Sequence, residues 1–471
     1  MHPGGSRLKD QAMEHTGENP HTRGLAAFVS GLRYEAIPGS VRHRIKLLIL
    51  DSFGCALYGA DLPWSRILID TLSEVDSTPA CGLWGTHRRL SAPHAALVNG
   101  TLVQSFELDD VHRQGVLHVG AVTLPALCAV AELHPGMSGR EFLTAAVAGY
   151  EVGPRVGLCM GQEHIGQGWH SGATLGVFSA AAGAAAGLHL SEEKTVHALG
   201  IAGTQSAGLM AAQYGAMVKR MHAGRSSQSG LYGALLAARG FTGIEDVFES
   251  PYGGFCSTFS RSADRFNLSE LTSGLGERFE TERISLKMYS CVGSNHTTLD
   301  SIRSILDRHA FGPGDVDRIV VHGSQVTVDH CGWNYVPNGL TGAQLNMAYC
   351  VATLLLEGNV FVDQFTEETL DDPRRIALAG RVQVLHDPAI TARGARFRHA
   401  VRVEVHLKDG TRLEEQMDAP RAFASDEAII AKFRGLASHR MDAARVDRVV
   451  ELVLALDTLP DVGVLIRALC L

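Results

Sequence analysis

Residues 173–190 read ATLGVFSAAAGAAAGLHL, a stretch dominated by Ala and Gly with no Asp, Glu, Lys or Arg. Side chains this small let helix axes approach closely, so the stretch belongs at the centre of a helical domain. The alternative, a glycine-rich phosphate loop, lacks both a preceding strand and a following GK[ST]. Working outward, residues 41–60 (VRHRIKLLILDSFGCALYGA) carry apolar side chains at three- and four-residue spacing and stop at glycines. Ser138-Gly-Arg-Glu141 is a capping box ahead of another apolar run. Ser191, followed by two glutamates, marks a further helix start.

The pattern changes after Arg283. Residues 317–329 (DRIVVHGSQVTVD), 381–385 and 400–407 (AVRVEVHL) alternate apolar and polar with β-branched residues, which predicts strands. Lys408-Asp409-Gly410-Thr411 supplies a hairpin turn. Helices are predicted at 296–309 and 341–357, and again after Asp418, with Ser425 as a cap. The expected architecture is mainly α. Residues 24–283 and 417–471 form a large all-helical domain, and residues 284–416 an inserted, smaller α+β domain. Residues 1–23, polar and without an apolar core, are expected to be flexible.

At 471 residues the chain exceeds one compact core. With 45% hydrophobic and 20% charged residues it has the composition of a globular enzyme. A net charge of −8 argues against a nucleic-acid partner, and the absence of a long apolar run argues against a membrane span. Nine scattered cysteines without a CxxC pair point to reduced thiols, a cytoplasmic setting and no locally spaced metal or cluster site.

Four polar groups interrupt otherwise apolar surroundings. Ser105-Phe-Glu107-Leu-Asp109-Asp110-Val-His112, closing at His118, gathers carboxylates and histidines able to divide acid and base roles. The same residues also read as a solvated helix end. Gly168-Trp-His170-Ser-Gly172 puts a histidine at a helix start, where imidazolium is disfavoured; a packed structural histidine is the plain alternative. Lys219, Arg220, His222 and Arg225, bracketed by glycines, form a candidate carboxylate clamp or a surface basic loop. Beyond residue 284 stand Lys287-Met-Tyr289-Ser-Cys291, His296, and Tyr349 on an apolar helix, where a core phenol is the common reading.

Seven blocks in order carry a resemblance: LDSFGCALYGA, AALVNGTLVQSFELDD, GWHSGATLGVFSAAAGAAAGL, GAMVKRMHAGRSSQSG, DVFESPYGGF, LKMYSCVGSNHTTLDSI and LNMAYCVATLLLEG. The chain resembles the MmgE/PrpD superfamily from about residue 24 onward. The resemblance implies an α+β lid over a helical domain, the active site between them, a homodimer and no cofactor. It implies Glu107, His118, His170, Lys219 and Tyr349 as catalytic residues. Lys219, Arg220, His222, Arg225 and His296 are then the binding residues for a small polycarboxylate. Two departures stand out: Val119 follows His118 where the family has Pro, and Ser290-Cys291 replaces a Pro-containing turn.

Family activities share proton transfer at a carbon beside a carboxylate. Without a metal, cations and donors must stabilise the enolate-like charge. Dehydration of a 2-methylcitrate-like hydroxy acid is the first expectation. Epimerisation of an iminodisuccinate-like substrate, decarboxylation of a cis-aconitate-like one, and a silent carboxylate-binding protein are the alternatives.

Overall fold

The structure is a computed structural model that describes residues 19–471 apart from 162, 263 and 421–423. Most of the segment expected to be flexible lies outside the described residues. Its last residues do not fit that expectation: a helix runs Pro20–Gly31, opened by a proline that needs no N–H there, with Thr22 buried.

The small-residue stretch forms the helix Gly176–Gly187, almost wholly buried. It packs against Gly139–Met160, Val119–Leu133 and Val218–Ala238. The helix Gly39–Gly59 lies against Ala92–Val103 on one side and Asp426–Ala437, from the far end of the chain, on the other. Ser138 makes the full capping box with Glu141, and the Ser191 and Ser425 side chains each cap a helix.

Helices Ala92–Val103 and Val218–Ala238 cross at glycines. A Cβ on Gly224 would stand 2.0 Å from the Leu97 carbonyl oxygen, and one on Gly100 would stand 2.7 Å from Gly224 Cα. Backbone has no rotamer with which to yield. Gly224→Ala is therefore expected to lower stability by about 1–3 kcal/mol through overpacking, read as a fall in Tm. An unchanged Tm would show that the crossing tolerates a methyl group. The same helix carries Lys219 and Arg220, so the crossing also fixes where those cations emerge.

Four strands, Val316–Gly323, Val382–His386, Val401–Leu407 and Arg412–Met417, make one sheet. The first of them is flanked by Val382–His386 (parallel) and Val401–Leu407 (antiparallel), and Arg412–Met417 closes the hairpin through Gly410 at φ 90°. The strand predicted over 317–329 stops at Gly323, because the Ser324 hydroxyl caps a helix over Gln325–Cys331. The helix predicted over 341–357 is two helices bent by 87° at Asn346, whose side chain caps the second. The all-helical expectation for the larger part also needs correction. Cys81–Gly82 pairs with Arg89–Leu90, and Val111–His112 pairs with Ile284–Ser285. The second pair ties the acidic stretch after Glu107 to the approach of Lys287. Among the described residues no single helix is long and apolar enough to cross a membrane.

Candidate active site

The helix Ala92–Val103 runs into a single 3-10 turn, Gln104–Phe106, that ends on Glu107 in the left-handed conformation (φ 57°, ψ 32°). For a residue with a Cβ this conformation costs on the order of 1–3 kcal/mol and persists only when its surroundings impose it. Here both neighbouring carbonyls are taken. Phe106 O accepts from Ser290 Oγ at 2.9 Å and from Gln344 Nε2 at 3.1 Å, and Leu108 O accepts from Lys432 Nζ at 2.7 Å. Ser290, a departure from the family pattern, is thus one of the groups that fix this loop.

So held, the Glu107 carboxylate meets three cations. Lys219 Nζ and Arg220 Nη1 (2.6 Å) donate to Oε1, and Lys287 Nζ (3.1 Å) donates to Oε2. Burial alone would raise the Glu107 carboxyl; the charges of Lys219, Lys287 and Arg220 overcome it and hold the group well below the usual carboxylate range. Burial pulls Lys219 down from the ordinary lysine value despite Glu107. Lys287 goes the other way: Glu107 and Asp109 together outweigh its burial and raise it.

Behind this cluster stands a carboxylate–imidazole pair. His118 Nδ1 lies 3.0 Å from Asp109 Oδ2 and 2.9 Å from the Asp110 carbonyl oxygen. Both atoms accept, so Nδ1 carries hydrogen and Nε2 is left for other partners. Burial raises Asp109, but His118 and Lys287 bring it below its ordinary value. His118 stands at the residue before the helix Val119–Leu133, without a side-chain cap bond to it. Val119 occupies the first helical position, the one a proline fits, so the substitution preserves the helix start. The Asp110 carboxylate accepts from Gly120 N–H and Tyr150 Oη; burial, with Asp109 and Asp51 nearby, pushes it up to about 7.

A cavity of about 120 Å³ opens beside these groups, room for on the order of ten waters. Its permanent charges are Arg113, Lys219, Lys287 and Arg398 against one carboxylate, Glu107. His118, His170, His296, His330 and His399 add five imidazoles. His170 packs on His222 with ring centroids 4.7 Å apart, and its Nδ1 is buried without a hydrogen-bond partner. Burial first, then Lys219, His222 and His118, hold His170 well below the imidazole range, so it is neutral. The sequence pointed to the same state through a helix terminus; burial is the actual cause. His222, pushed down to about 4 by burial and then Lys219, supports His170 without lining the cavity. His296 lines it, with Nε2 3.2 Å from the Cys291 carbonyl.

Three sequence-based candidates lie elsewhere. Arg220 is buried, committed to Glu107, Thr341 and Gln344, so it braces the site rather than binding a ligand. Arg225 is exposed and turns to Gln228. Tyr349 is buried in the core, its hydroxyl bonded to Thr369 and approached by Arg375 at 3.2 Å. Neither Arg225 nor Tyr349 lines the cavity. His112, from the acidic stretch, is bound to Glu280 at 3.0 Å and to Gly115 N–H, a structural role. Sequence reasoning missed Arg113, His330, Arg398 and His399 as site residues, and singled out Asp109 and Lys287 within polar groups without assigning either a role of its own. Asp109 and Lys287 were visible within charged motifs; Arg398-His399, in an unremarkable turn before a strand, carried no signal. Among the described residues no three His, Cys, Asp or Glu side chains are grouped to hold a metal ion.

The MmgE/PrpD N-terminal domain model matches residues 23–266, and the MmgE/PrpD C-terminal domain model matches residues 289–458. A cis-aconitate decarboxylase-like protein of Aspergillus oryzae is 36% identical over 96% of this chain and 98% of its own length. The cis-aconitate decarboxylase of Aspergillus terreus is 32% identical over 98% of both chains. The human cis-aconitate decarboxylase is 27% identical over 94% of this chain and 93% of its own. With both halves of the chain matched and the similarity running its full length, the chain belongs to the MmgE/PrpD family.

Proposed function

We propose that this chain is an enzyme that decarboxylates a small unsaturated tricarboxylate of the cis-aconitate kind. The observation that carries the reading is the charge of the cavity: four permanent cations and five imidazoles face a single carboxylate that three cations already neutralise. Such a lining suits a compact polyanion. The names of the full-length relatives support the same substrate class. This reverses the order of the sequence-based expectations, in which dehydration stood first. Expelling hydroxide calls for a proton donor opposite the base, for which the sequence offered Tyr349 or a protonated histidine. Tyr349 is engaged elsewhere, which leaves that role to the histidines, and the names of the relatives favour decarboxylation.

In such a substrate one carboxylate sits on a methylene next to the double bond. Breaking its C–C bond releases CO2, and the electron pair forms a new double bond to the methylene. The original double bond then takes a proton at its far carbon. A trianion and one proton become a dianion and CO2. His118, backed by Asp109, is placed to deliver that proton from Nε2. Lys219 and Lys287 offset charge developing on the conjugated carboxylate.

The test is to incubate the protein with cis-aconitate in deuterated water and follow CO2 and the product by NMR. One equivalent of CO2 and one deuterium in the product are expected, undiminished by excess chelator. Consumption of 2-methylcitrate without CO2 would restore the dehydration reading. Loss of turnover on chelation, recovered with one divalent ion, would refute the metal-free chemistry.

A further inference from the structure

The cations of the cavity fall into two groups. Lys219 and Lys287 are paired to Glu107, and Lys287 also approaches Asp109 at 3.9 Å. Arg113 and Arg398 have no such partner. Arg398 Nε donates to His399 Nε2 at 2.9 Å, and its Nη2 donates to the Arg113 carbonyl oxygen at 2.9 Å. Among the described residues neither guanidinium forms an ion pair with a carboxylate; Asp300, bound to the Tyr289 hydroxyl, acts on Arg113 from longer range. Arg113 lies close enough for its charge to register on Arg398. Burial and then Arg113 push Arg398 down to about 10, and burial lowers Arg113.

His399 completes the arrangement. Its Nε2 accepts from Arg398, so Nδ1 carries the hydrogen, and Nδ1 is buried with no acceptor. The position is built rather than incidental: the Arg398 carbonyl oxygen accepts from Ser324 Oγ at 2.5 Å and Thr327 Oγ1 at 2.9 Å. All three residues line the cavity.

We infer that Arg113, Arg398 and His399 Nδ1–H form a carboxylate subsite that holds a substrate carboxylate not involved in bond breaking, and so selects tricarboxylates over dicarboxylates. The inference rests on the decarboxylase reading for the identity of the substrate, while the anion preference rests on two cavity arginines that, among the described residues, form no ion pair with a carboxylate. A guanidinium fork bound to a carboxylate makes paired, charge-assisted hydrogen bonds that a dicarboxylate cannot replace.

The test uses tricarballylate, a saturated tricarboxylate that cannot react, and glutarate, with Kd read by calorimetry. In Arg398→Gln, tricarballylate binding is expected to weaken roughly 10- to 100-fold and glutarate binding less, so that the preference collapses. Arg113→Gln, which keeps the backbone acceptor of Arg398, is the second variant should the first fold poorly. Tricarballylate affinity within about threefold of the parent in a folded variant, equal weakening of both ligands, or no binding to the parent would each overturn the subsite. If cis-aconitate is not turned over but tricarballylate binding still depends on these arginines, the decarboxylase reading falls and the subsite stands.

Discussion

Glu107→Gln is expected to destabilise the folded protein by about 3–5 kcal/mol and to abolish measurable turnover, because it leaves three buried cations facing a neutral amide. Lys219, Arg220 and Lys287 converge on the one carboxylate, and each is less than a tenth exposed. The loss has a defined pH dependence. The folded carboxyl is depressed, so its contribution is fully present above the unfolded value near pH ~4.3. It drains away as pH falls further, toward the depressed folded value. The stability gap between parent and variant should therefore narrow on acidification. Urea unfolding at neutral pH and below pH ~4 measures it; a gap under about 1 kcal/mol, or one insensitive to pH, would mean that the cluster is solvated and weak.

His118→Gln is expected to lower kcat by roughly 10²–10⁴ while tricarballylate affinity changes little, since glutamine occupies similar space but cannot deliver a proton. Asp109→Asn removes the charge behind the imidazole and should lower kcat in the same direction, by on the order of 10². Single-turnover measurements separate these effects from product release. A His118→Gln variant that keeps kcat within about threefold would transfer the proton-donor role to another cavity group, Lys219 first among them.

Much of the fold was legible because it rests on local patterns. Helix starts at Ser138, Ser191 and Ser425 follow from capping chemistry, and the hairpin at Gly410 from its turn residues. Ser324 misled because a β-branched run continued past it, and its hydroxyl cap could not be told from an exposed strand position. The site divides the same way. Glu107, His118, His170 and Lys219 stood out as polar interruptions of apolar helices, and the structure brings them to one cavity. Tyr349 shows the limit of that reasoning: a phenol on an apolar helix faces either core or cleft, and here Thr369 and Arg375 claim it. Arg113 and Arg398 meet only through tertiary contact, between segments far apart in the chain, so no spacing rule announces them.

The bond from Lys432 to Leu108 O, and its 2.6 Å pairing with Asp51, reach beyond geometry into the timetable of synthesis. Asp51 and the Glu107 turn leave the ribosome early; Lys432, the buried counter-ion of one and a tether of the other, leaves near the end. At ~5–20 residues per second many seconds separate Asp51 from its counter-ion, and the helix that brings Lys432 also packs on the helix that carries Asp51. The N-terminal family segment, residues 23–266, therefore cannot finish its own acid loop. Until Lys432 has been made, the carbonyl that follows Glu107 lacks the bond that ties it to the C-terminal helix.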